Sequence, residues 1–280
     1  MAVYSYSKIS TFEQCQLKYK FRYIDKIYII ERSIESFLGE IVHSALEWLY
    51  LSVKKNILPS IDEMIAYYDE QWSRNYNQKI ISITYDKTPD FYYNKGIKFL
   101  IDYYLEQKPF NDNTLYVEKE IFTTLDEGGK YKIHGYIDRL SYDLNKGEYI
   151  VHDYKTSDSA PSQEKIENDR QLSLYSMAVK ELFGKDKEVL LIWHYLSYKR
   201  RIVSRRNNEQ LEDMKRQIIK VIDKIESSKD FPPHISRLCD WCEYKRMCPA
   251  WGNSPPKYRK EVQKEISDFE KIEEQREELK

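Results

Sequence analysis

The sequence predicts an α/β fold, a sheet flanked by helices, in one domain with a helical insertion at about residues 50–110. Three observations support this prediction. Between Leu115 and Thr156 the chain contains three strand-like runs separated by turn residues. Amphipathic helical periodicity precedes and follows these runs. A further apolar run, EVLLIWHYLS at residues 188–197, comes after the next helix, so that strands and helices are interleaved as in helix-covered sheets.

Helical patterns occupy the first third of the chain. The segment STFE, from Ser10 to Glu13, has the capping-box pattern and predicts a helix that opens there and continues to about Arg22. Apolar residues at helical spacing predict three more helices. They lie at about residues 36–55, 61–79 and 90–107.

Strand patterns begin at Leu115. The runs LYVEKEIFTTL, KYKIHGYIDRLSYD and EYIVHDYKT are separated by a Gly-Gly pair and an Asn-Lys-Gly turn, which predicts an antiparallel meander. An amphipathic helix is predicted at about residues 164–183, ended by Gly184. The remaining predicted elements are a strand at 188–197, a short strand near 201–204, a helix at about 208–228, a cysteine-rich segment at 236–252 and a charged helical tail at 257–280.

Composition narrows the class of protein. Charged residues make up 32% of the chain and apolar residues 41%, which is typical of a soluble globular protein. There is no apolar run as long as the ~18 residues of a membrane span, and the N-terminus lacks the apolar core of a signal peptide, so we expect a cytoplasmic protein without a membrane partner. A net charge of −1 argues against a protein that coats nucleic acid through an overall basic field, but it allows an enzyme with a local basic groove.

Tyrosine is over-represented, with 25 residues. One interpretation is that the rings fill half-buried positions in the fold. The other is that some rings stack on unpaired bases, which aromatic side chains do without sequence preference. We favour the first interpretation for most of them.

The stretch YIVHDYKTSD combines an apolar strand with an acid and a lysine. Because side chains alternate along a strand, Asp153 and Lys155 point to the same side of the sheet. Fourteen residues separate Asp153 from Asp138, in GYIDRL on the preceding strand, so the two carboxylates can converge at one end of the hairpin. Such a group suits a hard divalent cation, Mg²⁺ or Mn²⁺, which polarises a phosphate and activates a bound water. From these residues alone, the alternative is a hairpin salt bridge.

Two helices carry further candidates. His43, in GEIVHSALE, shares a helical face with Glu47, and its imidazole could join the carboxylates around the cation. Gln171 and Tyr175 lie four residues apart on the helix after the hairpin, where they could hold a phosphate, a bound water or the lysine. Taken alone, His43 also fits a structural position and the other two fit a polar helix edge. The remaining histidines are predicted to be structural, namely His134, His152, His194 and His234.

The four cysteines are divided three and one. Cys239, Cys242 and Cys248 form a C-x2-C-x5-C run followed by proline, whereas Cys15 lies far upstream. In a cytoplasmic protein, cysteines are more often metal ligands or free thiols than disulfides. Four thiolates suit zinc or an iron–sulfur cluster, and the three-and-one division with a terminal Cys-Pro favours a [4Fe–4S] cluster. Such a cluster would join the N-terminal helix to the C-terminal segment.

Five segments occur in an order that resembles the PD-(D/E)xK nuclease superfamily, specifically its RecB-like branch. That branch includes AddB-type nuclease domains and CRISPR-associated exonucleases with an iron–sulfur cluster. The segments are GEIVHSALE, GYIDRL, IVHDYKTSD, RQLSLYSMA and the divided cysteine set, which together span residues 10–252. The resemblance implies a restriction-endonuclease-like core, a mixed central sheet flanked by helices, in a single nuclease domain at residues 1–256 whose C-terminal segment is held by the cluster.

The resemblance also implies roles for individual residues. The implied ligands of the catalytic Mg²⁺ or Mn²⁺ are His43, Asp138, Asp153 and the main-chain carbonyl of Tyr154. Lys155 would be the catalytic lysine, and Gln171 and Tyr175 would complete the site. The implied ligands of a structural [4Fe–4S] cluster are Cys15, Cys239, Cys242 and Cys248. The implied reaction is phosphodiester hydrolysis by an exodeoxyribonuclease that acts on single-stranded DNA or DNA ends.

Two departures and several alternatives accompany the resemblance. Gln16, rather than proline, follows Cys15, and the chain has no Walker A sequence, so a helicase that unwinds its DNA must be a separate partner. DNA repair and CRISPR adaptation in antiviral defence both fit the chemistry, and the second would involve an integrase as partner. A non-catalytic subunit that binds DNA ends is an alternative of another class, which the complete His-Asp-Asp-Lys set argues against. A zinc-stapled binding protein is a further alternative.

Overall fold

A six-stranded mixed sheet forms the centre of the fold in the computed structural model, which describes residues 3–83, 87–159, 166 and 169–252. Its strands are β1 (Val3–Ser5), β4 (Thr114–Thr124), β5 (Lys132–Asp143), β6 (Glu148–Lys155), β7 (Val189–Tyr195) and β8 (Arg200–Arg205). The short strands β2 (Arg32–Ser33) and β3 (Ile81–Ser82) form a separate parallel pair.

The strand order is β1-β5-β6-β7-β8, and β4 pairs with β5. Strands β4, β5 and β6 are antiparallel neighbours, so the predicted meander is confirmed. Strands β6 and β7 are parallel, and the chain between them includes a helix, as a parallel pair requires. All of β7 is buried, which explains its uninterrupted apolar sequence.

The described α-helices surround this sheet. They are α1 (Tyr6–Gln14), α2 (Gln16–Tyr19), α3 (Ile34–Lys54), α4 (Ile61–Asn75), α5 (Pro89–Gln107), α6 (Arg170–Phe183) and α7 (Asn208–Ser227). Shorter helical turns are a π-helical turn at Lys20–Ile24 and 3-10 turns at Leu196–Tyr198, Arg237–Trp241, Lys245–Met247 and Pro249–Trp251.

Helices cover both faces of the sheet. On one face, α3, α4 and α5 share a large apolar core, into which the ring of Tyr154 from β6 packs. On the other face, α6 packs against the sheet through a core that includes Val151 and Leu191. Because Val151 and Tyr154 are three residues apart, they lie on opposite faces of β6. The predicted α/β fold, a mixed central sheet flanked by helices, is therefore confirmed.

The cysteine-rich segment has a core of its own that is much smaller. Phe21, Ile27, Tyr244 and Met247 form this cluster, which joins the chain after α2 to the C-terminal 3-10 turns. The Tyr244 hydroxyl donates a 2.7 Å hydrogen bond to the carbonyl oxygen of Ile27. This small core joins the segment after α2 to the C-terminal turns, whereas α1 and α7 meet in a separate, larger core.

The first helix begins earlier than predicted. Helix α1 starts at Tyr6, and its N-cap is Ser5, whose side chain accepts a hydrogen bond from the N–H of Lys8. The predicted capping box was wrong because Ser10 and Glu13 lie inside the helix. An N-cap residue needs an extended backbone, which Ser5 has as the last residue of β1.

The predicted continuation of this helix to Arg22 is interrupted at Cys15. The backbone of Cys15 is extended, with φ −161° and ψ 113°, and it separates α1, which ends at Gln14, from α2, which starts at Gln16. Arg22 lies in the π-helical turn that follows. Cys15 therefore lies at a corner of the chain and not within a continuous helix.

The other predicted elements agree with the structure apart from their ends. The helix predicted at 61–79 ends at Asn75, where Tyr76 is already extended. Gly184 ends α6 as predicted, with φ 127°. The tail predicted at 257–280 and most of the stretch from 164 to 168 lie outside the described residues. No described helix combines the length and apolar character that a membrane crossing needs.

Candidate active site

An acid and a lysine lie at the carboxyl end of β6, where the sequence placed them. Asp153 is buried, with 2% of its surface exposed, and Lys155 Nζ lies 2.6 Å from Asp153 Oδ2. Burial alone would lower the pKa of Lys155, but the charge and hydrogen bond of Asp153, together with the charges of Asp138 and Asp169, outweigh it and raise that pKa to about 12. The lysine is therefore protonated at neutral pH.

Asp138, on β5, reaches the same place from the neighbouring strand. Its Oδ2 accepts a 2.8 Å hydrogen bond from the main-chain N–H of Tyr154. The backbone pairing of β5 with β6 ends at Arg139 and His152. Beyond that pair, the Asp138 side chain, in place of a main-chain carbonyl, accepts the hydrogen bond from β6. Burial, together with the charge of Asp153, raises the pKa of Asp138 to about 6.

His43 comes from the middle of α3. Its neighbours Val42 and Leu46 are fully buried, which holds the helix against the sheet. His43 Nε2 donates a 2.8 Å hydrogen bond to the carbonyl oxygen of Tyr154, and its Nδ1 lies 3.6 Å from Asp138 Oδ2. Three of the predicted metal ligands, from distant parts of the chain, therefore meet at one point.

A third acidic residue, Glu118 on β4, was not predicted. Ligand atoms of His43, Glu118 and Asp138 all lie within 4.8 Å of one another. Burial, with the charge of Asp138 next, raises the pKa of Glu118 to about 7. The raised pKa values mean that negative charge on these two carboxyl groups is unfavourable in the protein alone. A bound cation would stabilise that charge.

The position of Glu118 follows from strand pairing. Val117 pairs with Arg139 and Lys119 with Ile137, so Glu118 lies opposite Asp138 in the antiparallel ladder. Its backbone is in the left-handed region, with φ 45°, which is uncommon for a residue other than glycine and clusters at functional sites. Glu118, the first acid in YVEKEIF, could have been identified from the sequence by aligning β4 with β5 so that it lies opposite Asp138.

Lys155 is connected to helix α6. Lys155 Nζ donates a 3.0 Å hydrogen bond to Gln171 Oε1, and Gln171 Nε2 donates a 2.7 Å hydrogen bond to the hydroxyl of Tyr175. Gln171 thus contacts the lysine directly, whereas Tyr175 is connected to it through Gln171. The three side chains form one line of hydrogen bonds that fixes the position of the ammonium group.

A buried polar network behind the site was also missed. Arg139 is fully buried, and its Nε donates a 2.9 Å hydrogen bond to the Tyr154 hydroxyl, which also lies 3.0 Å from that of Tyr103. His152 lies 2.9 Å from both Arg139 and His194. Burial, with the charge of Arg139, lowers the pKa of both histidines, which stay neutral. The network holds Tyr154, so that its carbonyl stays beside His43.

The four cysteines come together in a cavity that is lined by none of the active-site residues described above. Cys15, Cys239, Cys242 and Cys248 line one cavity between the α1–α2 corner and the 3-10 turns of the C-terminal segment. Lys18 of α2 forms a 2.7 Å ion pair with Glu243, which joins the same two parts of the chain. Sequence alone predicted this meeting of residues more than 220 positions apart, and all four thiols are free.

Comparison with known proteins supports the same interpretation. The sequence profile of the PD-(D/E)XK nuclease superfamily matches residues 3–249. The crystal structure at 2.19 Å resolution of a protein from Eubacterium rectale, provisionally named an exonuclease, is similar with a TM-score of 0.52 and 12% identity. That similarity covers 87% of this chain and 88% of the other, and at this identity it concerns the fold alone.

A second solved structure, that of SSO0001, is 18% identical over 76% of this chain and 84% of the other, with a TM-score of 0.38. Curated proteins include no match to the sequence. The narrower resemblance to the RecB-like branch therefore stays a prediction.

Proposed function

Because this chain belongs to the PD-(D/E)XK nuclease superfamily, we propose that it is a divalent-metal-dependent exodeoxyribonuclease that hydrolyses phosphodiester bonds of single-stranded DNA or DNA ends. One observation supports this most strongly: His43, Glu118 and Asp138 converge within 4.8 Å, next to the Asp153–Lys155 pair. A structural salt bridge would need only one acid and one base, whereas this site collects three acids.

The donor set suits Mg²⁺ or Mn²⁺. His43, Asp138, Asp153 and the main-chain carbonyl of Tyr154 would hold the ion, and Glu118 joins them as a further ligand. Carboxylate and carbonyl oxygens favour these hard cations, and one imidazole is compatible with manganese. When bound, such an ion polarises a phosphate oxygen and lowers the pKa of a bound water.

The chain's own residues then position and stabilise the reacting groups. The ammonium group of Lys155, held by Gln171 and Asp153, lies where it can hydrogen-bond the attacking water or balance negative charge on the phosphate. Tyr175 orients Gln171 through their 2.7 Å hydrogen bond. These three residues thus act as a unit whose geometry is set before the substrate binds.

We also propose that Cys15, Cys239, Cys242 and Cys248 hold a structural [4Fe–4S] cluster. Their shared cavity supports a common ligand. Zinc sites usually take two close pairs of cysteines, whereas here the ligands are divided three and one and the run ends in Cys-Pro, which favours a cluster.

The remaining parts of the proposal concern the whole chain. Residues 1–256 form one nuclease domain with a helical insertion at about 50–110, and residues 257–280 are a tail. The protein acts in the cytoplasm, in DNA repair or recombination or in CRISPR adaptation. Its partner would be a helicase in repair or recombination, or an integrase in CRISPR adaptation.

An end-labelled oligonucleotide tests the proposed activity. Anaerobically purified protein is incubated with single-stranded DNA labelled at its 5′ or 3′ end, with Mg²⁺ or Mn²⁺. We expect shortening that starts from an end and stops when a chelator is added. Full-length DNA after prolonged incubation with either metal would contradict the proposal.

A further inference from the structure

We propose that an exposed aromatic face on the β4–β5 hairpin holds the bases of single-stranded DNA beside the candidate metal centre. This aromatic face consists of Phe122, His134 and Tyr136, with Glu120 between them. The inference rests on the proposed nuclease function and adds the surface that binds the substrate next to the cleaved bond.

Strand register places these side chains on one face. Glu120 pairs with Tyr136 and Phe122 pairs with His134, and residues directly opposite in an antiparallel pair share a face of the sheet. The rings of Phe122 and His134 are stacked, with centroids 4.8 Å apart and planes at 25°. The His134 and Tyr136 rings meet edge to face, 5.1 Å apart. The three rings thus form one continuous surface.

Glu120 fixes two of these rings in place. Its Oε1 accepts a 3.0 Å hydrogen bond from His134 Nε2 and a 3.3 Å hydrogen bond from the Tyr136 hydroxyl. Side chains that are held before binding lose less conformational entropy when a ligand orders them. The arrangement therefore favours binding of a flat partner on the rings.

The rings lie on the solvent-exposed face of the hairpin. Phe122 is 55% exposed and Tyr136 is 48% exposed, whereas Ile121 and Ile133, on the other face of the same strands, are buried. Many other tyrosines, such as Tyr50, Tyr68 and Tyr104, are buried in the core of the fold instead. A contiguous exposed patch of aromatic rings indicates an interaction surface.

The aromatic face adjoins the candidate metal centre. Tyr136 is two residues from Asp138 and Phe122 is four residues from Glu118, or roughly 7 Å and 13 Å along an extended strand. The two strands that carry the rings also carry Glu118 and Asp138 of the centre. A DNA strand whose phosphate lies at the centre must place neighbouring nucleotides near these rings.

The chemistry of the face selects unpaired bases. Every base offers a π-face to an aromatic ring, but in a duplex these faces are already covered by neighbouring base pairs. A single strand therefore gains stacking on Phe122 and Tyr136, whereas duplex DNA gains none. Because every base can stack, the binding is independent of sequence.

Paired variants test this inference by binding, without relying on cleavage. In the double variant Phe122→Ile/Tyr136→Ile both rings are lost and strand-forming residues are kept; in Phe122→Tyr/Tyr136→Phe both rings are kept. Binding of a fluorescent oligo-dT of about 12 nucleotides is measured by anisotropy with Ca²⁺, together with an abasic oligonucleotide of the same length.

We expect the ring-free variant to bind oligo-dT at least about tenfold more weakly, since stacking contributes ~1–3 kcal/mol per base, and to bind the abasic strand as the wild type does. The ring-retaining variant stays within about twofold of the wild type for both ligands. Tyr28→Ala, which removes a ring that is 58% exposed elsewhere, has no effect.

Several outcomes would overturn the inference. Wild-type affinity of the ring-free variant for oligo-dT would do so, and so would an equal loss on the abasic strand. A wild-type dimer that becomes monomeric in the ring-free variant, with unchanged DNA affinity, would show an interface between copies instead. If the wild type binds DNA through these rings but cleaves none, only the proposed nuclease activity fails.

Discussion

The candidate metal centre and the cysteine cavity are built in contrasting ways. At the metal centre, each side chain is held by neighbours: Tyr154 hydrogen-bonds His43 and Asp138, and Gln171 holds Lys155. These residues belong to long strands and helices that are anchored in large cores. The cysteines lie on a helix break and on short 3-10 turns beside a small core.

This difference separates two kinds of site. The metal centre is formed by the folded protein alone, because backbone and side-chain hydrogen bonds set its geometry before an ion binds. The cysteine-rich segment has few buried apolar residues, so the proposed cluster would contribute much of its stability. Loss of a ligand is therefore expected to abolish activity without unfolding at the metal centre, and to loosen the structure at the cysteines.

The largest expected effect is on catalysis at the metal centre. Asp153→Asn removes a negative charge beside the proposed ion, and we expect DNA cleavage to fall by at least about a thousandfold, since a bound ion contributes several kcal/mol to the transition state. The melting temperature should stay near that of the wild type. Asp213→Asn, at an exposed position on α7, is the matched control. A DNA cleavage rate of Asp153→Asn close to that of Asp213→Asn would contradict the assignment of Asp153 to the metal centre.

The next effect concerns stability at the cysteines. Cys242→Ser should abolish the broad visible absorbance of the cluster and lower the melting temperature by roughly 10 °C, since ~3–5 kcal/mol of lost binding energy shifts a protein of this size by that amount. Met247→Leu, a volume-conserving change in the same small core, should keep both. A colourless wild-type protein that contains zinc would contradict the proposal of an iron–sulfur cluster. Equal melting temperatures of the wild type and Cys242→Ser would contradict its contribution to stability.

A smaller effect is expected for metal affinity. Glu118→Gln keeps the shape of the side chain but removes its charge, and we expect Mn²⁺ to bind roughly 10–100-fold more weakly. Titration calorimetry without DNA measures this directly. The matched change Glu127→Gln, in the turn between β4 and β5, should leave the affinity unchanged. If both variants bind Mn²⁺ equally well, Glu118 is no ligand.

The smallest effect should follow from Tyr175→Phe. This change removes the hydroxyl that holds Gln171, and loss of one neutral hydrogen bond of ~0.5–1.5 kcal/mol predicts a decrease of roughly 3–10-fold in kcat with little change in KM. Tyr142→Phe on β5 serves as control. A change confined to KM would assign Tyr175 to substrate binding and would separate it from the lysine.

Much of the fold was predictable because its signals are local. Periodicity and turn residues defined the meander, α3 and α6, and the spacing of Asp153 and Lys155 placed them on one side of a strand. Ser5 was missed as a helix cap because STFE has the complete capping-box pattern, whereas SYSK, from Ser5 to Lys8, does not, and only the end of β1 decides between them. Local sequence cannot distinguish two such candidates when the preceding strand is three residues long.

Glu118 and Arg139 were missed for a different reason. Their roles depend on register and burial: Glu118 reaches Asp138 across the ladder with a left-handed backbone, and Arg139 is buried under the aromatic core. Neither property appears in a single strand's sequence. The cysteines could be grouped in spite of their separation because the chain has only four of them, which is the number that one zinc ion or one iron–sulfur cluster binds.

Crystals soaked with Mn²⁺ test the central claim most directly. We expect an anomalous difference peak within coordination distance of His43, Asp138, Asp153 and the Tyr154 carbonyl oxygen, and no such peak in Asp153→Asn crystals. Ordered Mn²⁺ at other sites, with no peak between these residues in the wild type, would contradict it.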